Sequence, residues 1–433
     1  MTNYPNVFRV LQHFDNPQLH DIPGEVELQL SRLSLGETIG PGETVAITAG
    51  SRGIANIQYV IRAIVEHLKR LGANPFIVPA MGSHGGGTAE GQQKLIESYG
   101  ITESFCRCPI RTDMSTVIIC NSAEGFPVHF DAHAHSADHV IVCNRVKPHS
   151  LFTGDHESGL MKMMLIGLGK NNGARIYHKA IKDYGFDQIL QSVAGKVLTN
   201  CSIVAGIAII EGPYGQTAKI EAIVPNDFES REKYLLTQAK QLMPRLPFTT
   251  ADILLVDEIG KNISGSGLDV NVVGRKYLIH QAAENEYPKI RMIAVRDLSR
   301  LTHGSAMGIG LVEFCRKRVL DKMDVNATRV NALTGGYFFE AMLPLDYDTD
   351  SDMMHVMLSQ VGLVKPLDAR MMWIRNTVTV AEVECSTAYF EEAKRRDDLE
   401  IISDLRPLPF DATRNLSDEH MNPATLSDAD DQH

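Results

Sequence analysis

The chain has 433 residues, of which 44% are hydrophobic and 22% charged, and its formal net charge is −11. That length exceeds one ordinary domain of roughly 100–200 residues, and the composition excludes a disordered or collagen-like chain. An acidic balance also argues against nucleic-acid binding, because neutralising a phosphate backbone needs a basic field. Histidine stands out, with sixteen residues beside one Trp and seven Cys.

The cysteines form no C-x-x-C pair; in a chain of this size they read as reduced thiols, with no disulfide frame required. Met1–Pro5 shows neither the basic nor the apolar region of a signal peptide. The most apolar run, Leu160 to Leu168, is too short to span a bilayer and is interrupted by Lys162. The expectation is a cytoplasmic protein with no membrane and no nucleic-acid partner.

In chain order, Thr44–Thr48 reads as a strand ending in the turn Gly50-Ser51-Arg52-Gly53. Apolar residues at Ile57, Val60, Ile61, Ile64, Val65 and Leu68 mark a 3.6-residue helical stripe, and Gly72 is its stop. Pro75–Pro79 is the next predicted strand. It leads into the glycine-rich turn Gly82–Gly87 and a helix from about Thr88. Further strands are expected at Thr116–Cys120, His139–Asn144, Ile203–Ile210, Ile253–Asp257 and Ile290–Val295.

This alternation predicts an α/β fold: two α/β domains with largely parallel sheets and the active site in the cleft between them. The prolines of Leu242–Phe248 mark the boundary. The expected division is an N-terminal domain over residues 1–245, a C-terminal domain over 246–410 and a flexible acidic tail over 411–433.

Chemistry in open α/β sheets collects at the C-terminal ends of strands. Four such ends carry polar residues: Ser51-Arg52, Ser83-His84, Lys147-Pro148-His149 and Glu258-Ile259-Gly260-Lys261-Asn262. Lys162 lies in an apolar, Met-rich helical stretch. Burial there would lower its pKa and make the amine nucleophilic, whereas a snorkelling lysine is the commoner outcome of such a pattern. His129, His133, His135 and His139 invite a zinc reading through their i,i+4 spacing. Because Phe130-Asp131 reads as a strand end, solvated loop histidines are the expectation instead. The turns at Gly82–Thr88 and Asn262–Gly267 match neither the Walker A nor the dinucleotide fingerprint.

Taken in order, Arg52, Gly82-Ser83-His84, Pro148-His149, Ser158-Gly159-Leu160-Met161-Lys162 and His178 resemble lactate racemase and its homologues, the nickel-pincer-dependent isomerases. The resemblance runs over about residues 40–300 and is strongest from Pro75 to His178. It implies a pyridinium-3,5-bisthiocarboxylic acid mononucleotide carrying nickel, supplied by dedicated cofactor-synthesis enzymes. Lys162 would tether that cofactor, with Ser83, Gly85, Ser158 and Gly159 around it, and His178 would supply a nickel ligand. His84 and His149 would act as acid and base, and His156 is a rival for the place of His149. Arg52 would hold the substrate carboxylate, with Lys261 as a second cation chosen by its position at a strand end.

The implied activity is racemisation or epimerisation of a small 2-hydroxy acid by transient hydride transfer. Imidazoles suit the proton steps because their unperturbed pKa lies near neutrality. The alternative is a lyase or dehydratase acting on a hydroxy acid with a simple metal or none, on the same scaffold. The sequence departs from the lactate racemase pattern in having Leu160-Met161 after Ser158-Gly159, and Ala49-Gly50-Ser51-Arg52 in place of an acidic motif. Which 2-hydroxy acid is used, and the oligomeric state, are left open.

Overall fold

The structure is a computed structural model that describes residues 4–50 and 53–417. The chain divides into two compact units, one running from Asn16 to Met243 and the other joining residues 4–15 to those after Pro244. The N-terminal segment therefore departs from the expected 1–245 domain. The reason lies in strand pairing: β1 (Val7–Gln12) runs antiparallel to two C-terminal strands, with Val10 opposite both Val383 and Ile401.

The unit from Asn16 to Met243 is built on strands β2 (Thr44–Ala49), β3 (Asn74–Pro79), β4 (Thr116–Asn121), β5 (Pro127–Asp131), β6 (His139–Arg145), β7 (Ile203–Glu211) and β8 (Thr217–Ile223). Five of them form one sheet in the order β3-β2-β6-β7-β8, parallel except for the β7–β8 hairpin. The expected strand at Thr116 is present, but it pairs only with β5 in a separate antiparallel ribbon.

Successive residues of the central strands enter different cores. Val45 and Ile47 of β2 and Ile141 and Cys143 of β6 pack on one face, while Ala46, Val140 and Val142 pack on the other. A sheet covered on both sides explains why these strands read as unbroken apolar runs without alternation. On the first of these faces, helix Ile57–Arg70 buries every residue of the predicted stripe. Thr88 caps helix Ala89–Ser98 by accepting the N–H of Gly91, which satisfies an otherwise orphaned donor.

The second unit carries β9 (Thr250–Ile259), β10 (Lys289–Leu298), β11 (Phe314–Arg316), β12 (Leu345–Tyr347), β13 (Met371–Ile374), β14 (Glu382–Ser386) and β15 (Leu399–Ile401). With β1 they form one eight-stranded sheet, β12-β11-β10-β9-β13-β14-β1-β15. It is parallel from β12 to β13 and antiparallel beyond. Buried Arg296 on β10 pairs with Asp257 and Asp350 and lies against Trp373.

Arg296 also fixes the segment expected to be a flexible tail. Its guanidinium donates to the Leu416 carbonyl at 2.6 Å, and Leu416 N–H donates to Asp350 Oδ2 at 3.0 Å. Leu416 is buried, so residues 411–417 are part of the fold. The remainder of that segment, 418–433, lies outside the described residues. Among the described residues, no helix is long and apolar enough to cross a membrane.

Candidate active site

The site is organised by the segment joining β6 to helix Lys170–Tyr184. After β6 the chain turns at Lys147-Pro148-His149 and returns beside itself, with Lys147 N–H donating to the Ser158 carbonyl at 3.1 Å. Three carboxylates hold the loop between them. Glu157 Oε2 accepts the His149 N–H at 2.7 Å, and its other oxygen meets Lys240. Asp187 accepts backbone N–H bonds from Asp155 and His156. Glu232 Oε2 accepts the Met161 N–H at 3.0 Å.

Phe152 is the centre of the arrangement. Its ring stacks on His149 at 4.4 Å and 13°, and on Phe186 at 4.1 Å and 7°. Two near-parallel rings this close cannot share one face, so Phe152 is sandwiched between them. The Lys162 ammonium lies 5.1 Å from its centroid, within cation–π range, and the His178 ring lies 6.3 Å away. One aromatic ring thus collects the three side chains His149, Lys162 and His178. Sequence reading missed Phe152; an aromatic residue between His149 and Lys162 was the available signal.

Lys162 closes a short helical turn, Leu160–Lys162, that runs into a π-helical turn at Met163–Gly167. The expected continuous helix is therefore interrupted just after the lysine. Such π-turns recur at functional sites. The lysine is half-buried and stays beside the rings; the purely exposed, snorkelling outcome is not the one found. His178 sits in helix Lys170–Tyr184. Burial, then the charges of Lys162 and Lys182, lower its pKa to about 4, so the ring is neutral near pH 7. A neutral imidazole is the form that ligates a metal.

His84 is exposed, on the turn after β3. That turn is tied to the Lys162 segment, because Gly82 N–H faces the Gly167 carbonyl and any Cβ at Gly82 would press on Ile166. The Gly82 and His84 carbonyls both accept from the Gln92 amide. Gly85 has a φ of +63° and passes directly against the Gly91 backbone, so only glycine fits there. Ser83 precedes it, half-buried. Ser158 and Gly159 line the start of the Lys162 turn, where the Asn144 amide holds the Gly159 carbonyl at 2.8 Å.

His156, the rival of His149, has its side chain against the Glu229 carbonyl. It is buried, with Nε2 3.2 Å from the Glu229 carbonyl and Nδ1 without a hydrogen-bond partner. Arg52 lies outside the described residues. Lys261 belongs to the second unit, where its Nζ donates to Asn331 Oδ1 at 2.8 Å.

The dense histidine group lies in strands and a short helix, not in loops. His129 is on β5 against Thr116, and His133 and His135 lie in a short helix. His139 opens β6 and meets Glu43. Two buried ionisable groups escaped the sequence reading. Lys170 pairs with Asp131 at 2.7 Å and donates to the Pro79 carbonyl. Glu232 is the acid within the apolar stripe Phe228, Leu235, Leu236, Ala239 of its helix, a signal that was legible.

Among the described residues no three His, Cys, Asp or Glu side chains converge to cage a metal. A nickel ion at His178 would therefore draw its other donors from a bound cofactor. A nearby amine and a neutral imidazole around one ring fit that requirement.

Residues 50–225 match the model of a family described as a domain of unknown function, DUF362. No curated protein matches the chain. Among solved structures it is similar to the lactate racemase apoprotein from Thermoanaerobacterium thermosaccharolyticum, with a TM-score of 0.53 and 11% identity over 86% of this chain and 99% of that one. The chain has a lactate racemase-like fold. At that identity the likeness extends to the fold: mixed α/β, with mostly parallel sheets.

Proposed function

We propose that the protein is a racemase or epimerase of a small 2-hydroxy acid that works with a nickel-pincer mononucleotide. The observation carrying this reading is the convergence of the Lys162 amine, the His178 imidazole and the His149 ring on Phe152. A lactate racemase-like scaffold supports it.

When bound, the pincer supplies a reversible hydride acceptor, which removes the need to ionise a carbon acid directly. Lys162 would hold it through its amine and His178 through an imidazole nitrogen, with Ser83, Gly85, Ser158 and Gly159 beside it. His84, exposed on a glycine-rich turn, and His149 would act as the acid and base that take the substrate hydroxyl proton and return it. Arg52 would grip the carboxylate through two parallel N–H bonds.

The test is co-expression with the cofactor-synthesis enzymes, followed by intact mass, metal analysis and chiral assay of 2-hydroxy acids. About one nickel per chain is expected from a single protein ligand, together with a covalent adduct and scrambled stereochemistry. Both nickel and activity should vanish in Lys162→Ala and His178→Ala. Activity surviving in metal-free Lys162→Ala protein would overturn the proposal. Formation of keto or unsaturated acids without an adduct would favour a lyase or dehydratase on the same scaffold.

A further inference from the structure

Glu232 is an acid inside the apolar stripe of helix Phe228–Leu242, and its carboxyl serves one short stretch of backbone. Oε2 accepts the Met161 N–H at 3.0 Å, and the Leu160 N–H also faces the carboxyl. These two groups open the turn Leu160–Lys162, where no preceding helical turn exists to accept them. A buried N–H without a partner is costly, so an acceptor has to come from elsewhere in the fold.

Other contacts seat the same turn. Leu160 packs over Gly206 of β7 beside the Phe228 ring, in space that a Cβ at Gly206 would fill. The Gly159 carbonyl accepts the Asn144 amide at 2.8 Å and the Met163 N–H at 3.0 Å. Gly159 itself meets Glu232: a Cβ there would fall on the carboxyl carbon and both of its oxygens. With a φ of 173°, the backbone of Gly159 is extended and open to any residue. The neighbouring carboxyl, not the conformation, is what requires glycine. Elsewhere on the same helix, the Glu229 carbonyl, Lys233 and Lys240 reach His156, Asp155 and Glu157, earlier in the loop. Glu232 reaches the turn that carries the amine.

We infer that Glu232 is a positioning residue for Lys162: through the Met161 N–H, and with Gly159 leaving it room, it fixes the turn from which the Lys162 side chain reaches Phe152. The consequence for turnover rests on the racemase reading; the placement of Lys162 does not. In that reading the same backbone bond sets where the amine holds the cofactor.

The placement is tested on cofactor-free protein by trace acetylation of its lysines at a fixed pH. Mass spectrometry compares half-buried Lys162 with exposed Lys196 of the same unit. Glu232→Leu keeps apolar volume and removes the acceptor, so it should raise Lys162 labelling severalfold relative to Lys196. Glu232→Gln, which keeps an acceptor oxygen, should label like the parent. Gly159→Ala should raise labelling in the parent and have little effect in a Glu232→Ala background, where the carboxyl is gone. Unchanged labelling in Glu232→Leu, or an equal effect of Gly159→Ala in both backgrounds, overturns the inference. The Gly159→Ala comparison decides alone should Glu232→Leu fail to fold.

In cofactor-loaded enzyme, Glu232→Leu should lower kcat per bound nickel by about a hundredfold, the scale set by a displacement of about 1 Å. KM should stay near that of the parent, and Glu232→Gln should restore most of kcat. A loss confined to KM overturns the positioning role in turnover even where labelling follows expectation. Parent protein without nickel or adduct would overturn the racemase reading alone, and the labelling would still decide the placement.

Discussion

Glu232 Oε2 accepts the N–H of Met161 at 3.0 Å, which sets a fully buried carboxyl at the start of the turn that carries Lys162. Its other oxygen has no hydrogen-bond partner. Burial raises its pKa to about 7, against the opposing effect of the Met161 and Leu160 N–H groups. Between pH 4.5 and 7 the folded protein therefore retains a proton that the unfolded chain has lost, so this group's contribution to stability falls as pH rises. The full shift corresponds to about 3 kcal/mol. Glu232→Gln should flatten that slope. Urea unfolding at pH 5 and 7.5 checks it, and an identical slope in the variant would contradict the assignment.

His178 has the opposite sign. With a folded pKa of about 4 against an ordinary 6.5, its contribution is present above pH 6.5 and is lost as pH falls towards 4. NMR titration of its ring should show no imidazolium down to about pH 5. Lys162→Met removes one repelling charge and should raise the midpoint. It should remain below 6.5, because burial is the larger cause.

Phe152 is buried between two rings. Phe152→Ala should cost about 3–5 kcal/mol of stability, while Phe152→Leu, which keeps apolar volume without the stack, should cost less. Denaturant unfolding of both variants would show it. A loss below 1 kcal/mol for Ala would mean that the sandwich contributes little.

The buried Lys170–Asp131 pair should behave as an uncompensated charge when halved. Lys170→Met alone should lose about 3–5 kcal/mol, and adding Asp131→Leu should recover part of that. Recovery is limited because Asp131 also caps the short helix at Ala134. A double-mutant cycle by urea unfolding measures the coupling.

Local pattern made much of this molecule legible. The stripe from Ile57 to Leu68 is a helix because its 3.6-residue period survives into the folded core, and β6 and β7 lie where apolar runs placed them. What failed is convergence. Nothing near His156 in sequence distinguishes it from His149; the distinction lies in the Glu229 carbonyl, on a helix far along the chain. Thr116–Asn121 has strand chemistry, but its partner is β5 alone, and pairing is not written in periodicity. The end of the chain looked polar and unstructured because its order depends on Arg296 and Asp350, which contact single backbone groups at Leu416.

That latch gives a further expectation. A chain ending at residue 410 should lose about 2–4 kcal/mol from the second unit, through exposure of Leu416's apolar partners and the unpaired Arg296 and Asp350 groups. A chain ending at 417, which keeps Leu416, is the reference for that loss. Equal stability of the two truncations, read by thermal melts, would show that the Leu416 contacts are unimportant.

The position of β1 has a biosynthetic consequence. It leaves the ribosome ahead of β2 to β13, yet both of its neighbours, Glu382–Ser386 and Leu399–Ile401, leave after them. Domains generally fold as units during synthesis, the earliest first, and Asn16–Met243 is one uninterrupted stretch able to do so. Residues Val7–Gln12 must wait, an unpaired apolar edge, until β14 and β15 have been made.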